Sequence, residues 1–128
     1  MNLVPTHKSD LATAQAAIDA GYPAIAPILA DLTEWLQDSN WPVAKKLAPF
    51  LAGIGKPMIE HIDCVFSTND HIWKYWMIVC LIEESDELLE HYKIDLIRIA
   101  TNPTQIEKHE ELDEVARDAL ATHNIHLC

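Results

Sequence analysis

Residues 32–55, LTEWLQDSNWPVAKKLAPFLAGIG, decide the fold. Leu32, Trp35 and Leu36 recur at three- and four-residue spacing, as do Val43, Ala44, Leu47, Ala48 and Leu51. Each set therefore lies along one face of a helix. Asp38-Ser39-Asn40 interrupts the pattern between them, and Gly53 and Gly55 bracket its end. The stretch predicts a helix, a tight turn and a second helix. A hairpin this short cannot bury two apolar faces alone, so it has to stack on neighbours of the same kind.

The flanking chain supplies those neighbours. Upstream, Ser9 or Asp10 caps a helix with the stripe Leu11, Ala14, Ala17 and Ile18, and Gly21 stops it. Pro23 and Pro27 introduce the helix that carries Leu32, and Asn40 is the expected N-cap of the next, with Trp41 and Pro42 in its first turn. Pro49 lies inside that helix and removes one of its hydrogen bonds. Pro57 opens a fourth helix with Ile59, Ile62, Val65 and Phe66 on one side. Asn69 or Asp70 caps a fifth, HIWKYWMIVCLIEE, apolar on nearly every face and therefore expected at the centre. Ser85 caps a sixth, and Thr104 with Glu107 forms a capping box that starts the last.

Asp38-x-x-Trp41 recurs as Asp70-x-x-Trp73 after 32 residues, a period typical of stacked helical pairs. The expected architecture is all-α, about seven helices in three stacked hairpins, filling residues 1–128 as one domain. LVPTHKSDLATA, GYPAIAPIL, EWLQDSNWPVAKKLAPFLAGIGKP and DHIWKYW together resemble a family of small, mostly bacterial HEAT-like domains of unknown function. The likeness covers residues 3–82. It implies a right-handed α-α superhelix and brings no catalytic residues with it.

Composition narrows the function. Twenty acids against nine bases give a net charge of −11, and residues 83–118 alone carry −8. Such a field repels nucleic-acid phosphates and anionic lipid and attracts basic proteins. HEAT-like DNA-repair glycosylases set Trp and Asp on a concave face, as Asp38 and Trp41 could be, but they need a basic groove. Lys45, Lys46, Lys56 and Lys74 make a meagre one. The start MNLVPTHKSD lacks the pattern of a secretory signal, and no apolar run approaches the roughly 20 residues of a membrane helix. Cys64, Cys80 and Cys128 are odd in number and widely spaced, which fits a reducing cytoplasm.

Chemistry-bearing clusters are thin. His123-x-x-His126-x-Cys128 and His61-x-x-Cys64 are incomplete ligand sets, so no metal site is expected. Cys64 and Cys80 fall on apolar faces as buried thiols, no glycine-rich elbow surrounds Ser67 or Ser85, and no cofactor motif is present. Trp41, Trp73, Tyr75 and Trp76 start second helices, where they seal repeat interfaces or anchor a partner.

The expected function is a non-enzymatic interaction module with an acidic surface. Asp38, Trp41, Asp70, Trp73, Glu83, Glu84, Glu110, Glu111 and Glu114 are its candidate partner-binding residues. The most concrete version is a bacterial immunity protein that neutralises a basic toxin such as a nuclease. An adaptor or regulatory subunit is one alternative. A small hydrolase or lyase with a pocket near Trp41, His71 and Trp73 is another.

Overall fold

The computed structural model describes residues 2–126, and every regular element among them is helical. In order these are α1 (Leu11–Ala20), α2 (Leu29–Glu34), α3 (Pro42–Ile54), α4 (Ile59–Phe66), α5 (His71–Met77), α6 (Asp86–Thr101), α7 (Gln105–His109) and α8 (Leu112–Thr122). Short 3-10 turns precede α2, follow it over Trp35–Gln37, and precede α4. Asp10, Asp70, Ser85 and Thr104 cap α1, α5, α6 and α7 through their side chains, and Thr104 with Glu107 completes the capping box. The N-cap of α3 is Trp41 rather than Asn40: Pro42 takes the first helical position, and no side chain caps the helix.

α5 runs directly into a π-helical turn, Ile78–Ile82, closed by the Glu83 amide donating to the Ile78 carbonyl at 2.9 Å. Met77, Ile78, Leu81 and Ile82 are buried there. This turn packs against α3, α6 and α8, so the fifth predicted helix is central as its composition requires. Its first half is not enclosed: Ile72 is 58% exposed, and Trp73, Tyr75 and Trp76 are half-buried.

The packing falls into two rows. α1, α3, the α5–π segment and α8 follow one another along one row. In the other, α2 meets α4, and α6 is joined to α4 by Tyr92, whose hydroxyl donates to the Asp63 carboxylate at 2.7 Å and contacts the Ile59 carbonyl at 3.1 Å. α4 and α5 lie side by side, as do α6 and α8, while α3 meets the Trp35–Gln37 turn that ends α2, in the order of stacked hairpins. Gly55 sits at φ +76° after α3, a conformation that glycine adopts without strain; a Cβ there would meet only the flexible end of the Glu87 side chain.

The last predicted helix is two. Glu111, at φ +63°, breaks it between α7 and α8. Its amide donates to the Lys108 carbonyl at 3.1 Å, closing α7 in the left-handed fashion usually reserved for glycine. α7 is pinned to α6 by Arg98, which grips both oxygens of Glu107.

Two outcomes follow. Tyr92→Phe removes the hydroxyl that joins α6 to α4 and is expected to cost about 1–2 kcal/mol in urea denaturation. An unchanged midpoint would mean the link carries no stability. The Arg98 guanidinium, helped by the Thr104 amide, holds the Glu107 carboxyl down to about 2 from its usual 4.5. The stability it adds is complete above pH 4.5 and disappears as pH falls through about 2. Arg98 is about half exposed, so screening limits the contribution to about 1 kcal/mol. The stability gap between wild type and Glu107→Gln should close over that window.

Candidate functional site

The acids expected to meet a partner do not form one patch. Glu110, Glu111 and Glu114 converge, and they do so around aromatic residues of α5. Ile72, Tyr75 and Trp76 line a hollow of about 260 Å³ with His109, Glu110 and Glu111. Tyr75 also borders an adjoining hollow of about 330 Å³ with Glu111, Glu114 and Asp118. The rings of Tyr75 and Trp76 meet edge to face, with centroids 4.8 Å apart. The result is an aromatic platform, topped by exposed Ile72 and walled by four carboxylates.

Spacings of one and four residues already keep Glu110, Glu111 and Glu114 close together. The corner at Glu111 decides what they face. The left-handed residue turns the chain, bringing the end of α7 and the start of α8 to the same side of Tyr75. The one arginine bordering the face, Arg117, is already engaged, donating to Asp113 at 3.1 Å and to the Ala100 carbonyl at 3.0 Å. Its side chain stays about half exposed, so four carboxylates and one paired arginine border the platform.

The other expected residues serve different ends. Asp70 caps α5 by accepting from the Trp73 amide at 3.0 Å. Asp38 instead accepts from Asn40 at 2.9 Å while its carbonyl takes the Trp41 amide at 3.2 Å. α3 begins four residues after Asp38 and α5 one residue after Asp70, so the two Asp-x-x-Trp copies differ in local geometry. Trp73 is inserted into the first turn of α5 with its Nε1 enclosed and without a hydrogen-bond partner. Trp41 stands at the mouth of α3, packed edgewise on Trp35.

Glu83 fastens α8. Its carboxylate accepts from Thr122 at 3.1 Å, and its carbonyl meets His123 Nε2 at 2.6 Å. The other His123 nitrogen faces Asp86 at 3.2 Å. His123 is therefore occupied by the fold; Cys128 of the suspected ligand set lies outside the described residues. His71 contacts the Asn69 carbonyl, and the cavity that holds Trp41 includes neither His71 nor Trp73 among its walls.

Glu84 borders a cavity of about 420 Å³ between α3 and the π turn. Ala44, Ala48 and Ala52, spaced by four, leave room on the α3 side, and Lys45 balances Glu84 at the rim. Cys80 faces this space, but burial pushes its thiol up, away from the thiolate that nucleophilic chemistry needs. The alanine spacing was readable in the sequence; the π turn that opens the opposite wall has no such signature. Cys64 is exposed rather than buried, because it lies two residues beyond Ile62 and faces away from the core.

Glu111 is where stability and surface chemistry conflict. A left-handed conformation costs a non-glycine residue roughly 1 kcal/mol. Glu111→Gly is therefore expected to leave the melting temperature unchanged or raise it by a few degrees while removing one carboxylate from the platform. A marked fall in melting temperature would show that the side chain stabilises the corner.

None of the curated proteins compared with this chain matches it. The family described as Domain of unknown function (DUF5071) matches residues 3–120, nearly the whole chain. The protein is a member of the DUF5071 family.

Proposed function

We propose that the chain is a non-enzymatic binding module whose Tyr75–Trp76 platform docks on a basic protein. The observation that carries the reading is the ring of Glu110, Glu111, Glu114 and Asp118 around half-buried aromatics, with the neighbouring Arg117 paired to Asp113. Aromatic anchors inside a polar rim are the usual anatomy of a protein interface. A carboxylate rim selects a basic partner and accelerates its capture.

In its most concrete form the module is a cytoplasmic bacterial immunity protein, and the partner is a basic toxin domain such as a nuclease. A small, rigid, strongly acidic helical stack suits that task, because occluding a cationic active site needs charge and shape but no chemistry. No helix among the described residues is long and apolar enough to cross a membrane, which fits a role away from the bilayer.

The test is co-expression with the adjacent reading frame. Protection from growth inhibition and co-purification are expected, with binding weakened at least tenfold between roughly 0.05 and 0.5 M salt. The triple variant E110K/E111K/E114K should lose both protection and binding while keeping its helical circular dichroism. Protection that survives the triple variant would place the partner on another face, and an adjacent product that neither binds nor inhibits growth would overturn the toxin reading.

A further inference from the structure

We propose that the corner between Trp35 and Trp41 is a separate binding site for a weakly hydrated organic cation, a quaternary ammonium or a guanidinium. The two indoles border a cavity of about 360 Å³, with ring centroids 5.7 Å apart and planes at 72°. Both are half-buried, so each still presents part of its π surface. The near-perpendicular arrangement offers a cation two ring surfaces at once.

The walls carry charge of one sign. Asp31 and Glu34, three residues apart along α2, stand on one side, with Gln37 one turn further on. Opposite them the chain supplies Val4 and Pro5, which are apolar. That segment is held in place: the Thr6 amide and hydroxyl bond the Asp10 carboxylate at 3.0 and 3.2 Å, and the Val43 amide donates to the Lys8 carbonyl at 3.0 Å. No lysine, arginine or histidine lines the cavity.

Those features select a ligand class. Indole faces are negative and attract cations, while the two carboxylates repel anions. A small, strongly hydrated ion would have to give up water for aromatic walls that cannot coordinate it. A cation with a methyl or guanidinium skirt loses little water and can pack against Val4, Pro5 and both rings. The cavity shares no residue with the Tyr75–Trp76 platform, so the inference stands apart from the docking reading.

The experiment titrates the intact protein with choline and, separately, with N-acetylarginine amide, following the indole N–H resonances. The neutral isostere of choline, 3,3-dimethyl-1-butanol, is the control. Saturable shifts at Trp35 and Trp41 are expected with at least one cation, and the isostere should bind about tenfold more weakly or worse. Choline alone acting would mark a free small-molecule ammonium, and the arginine derivative alone a side chain presented by another protein; either supports the site. The exposed-residue variant D31N/E34Q should weaken binding roughly three- to tenfold with an unchanged urea midpoint, and Trp41→Leu should abolish it. Equal binding of choline and its isostere, shifts confined to Trp73 and Trp76, or no saturable shift with either cation would overturn the proposal.

Discussion

The helices here are too short to be stable by themselves, and all but α7 bury apolar residues. The longest, α6, has 16 residues and the shortest, α7, has five. Isolated helices of such lengths are marginal in water, so packing rather than propensity holds them. The requirement is met at the π turn, whose buried Ile78, Leu81 and Ile82 contact members of both rows. An ordinary α turn repeats its face every 3.6 residues. The wider π turn advances the face by an extra residue, presenting apolar side chains to α3 on one side and to α6 and α8 on the other.

Once that hub is filled, the residues of α5 before Met77 are only partly enclosed. Met77 and Ile78 are enclosed, whereas Tyr75 and Trp76, immediately before them, retain exposed surface. The platform is thus a consequence of where burial stops. Its acids come from the corner between α7 and α8, whose left-handed Glu111 occupies a position where glycine would be less strained. Backbone strain beside a charged aromatic surface is understandable if the surface has a use that stability alone does not reward.

Much of this was legible from residue patterns, and the parts that were not share a cause. Capping positions at Asp10, Ser85 and Thr104 were readable because a cap is a local bargain between one side chain and one amide. The break at Glu111 was not, since KHEELDE contains no glycine, proline or asparagine to announce it. The recurrence of Asp-x-x-Trp pointed correctly to helical pairs. It could not show that Asp38 would bond Asn40 while Asp70 caps its helix, because that choice depends on the 3-10 turn before Asp38. The acidic excess after residue 83 was evident from composition. Helical spacing already groups Glu110, Glu111 and Glu114, but the aromatics they face depend on the tertiary fold, as does the use of Glu83 to anchor Thr122.

The two aromatic corners arise from the same physics at different points of the chain. In each, two rings pack edge to face: Trp41 on Trp35 at the start of α3, and Trp76 on Tyr75 near the end of α5. Rings in such positions are too large for the rows to cover fully, and edge-to-face packing satisfies one ring by using the surface of the other. Part of each π surface therefore stays available. On a neutral protein such corners would attract any apolar group. Here Asp31 and Glu34 border one, and Glu110 and Glu111 border the other. Carboxylates add nothing to the binding of a neutral hydrocarbon and oppose an anion, whereas for a cation they and the ring faces act in the same direction. The charge of −11 thus has a local consequence: at these two corners the carboxylates favour a cation over an anion.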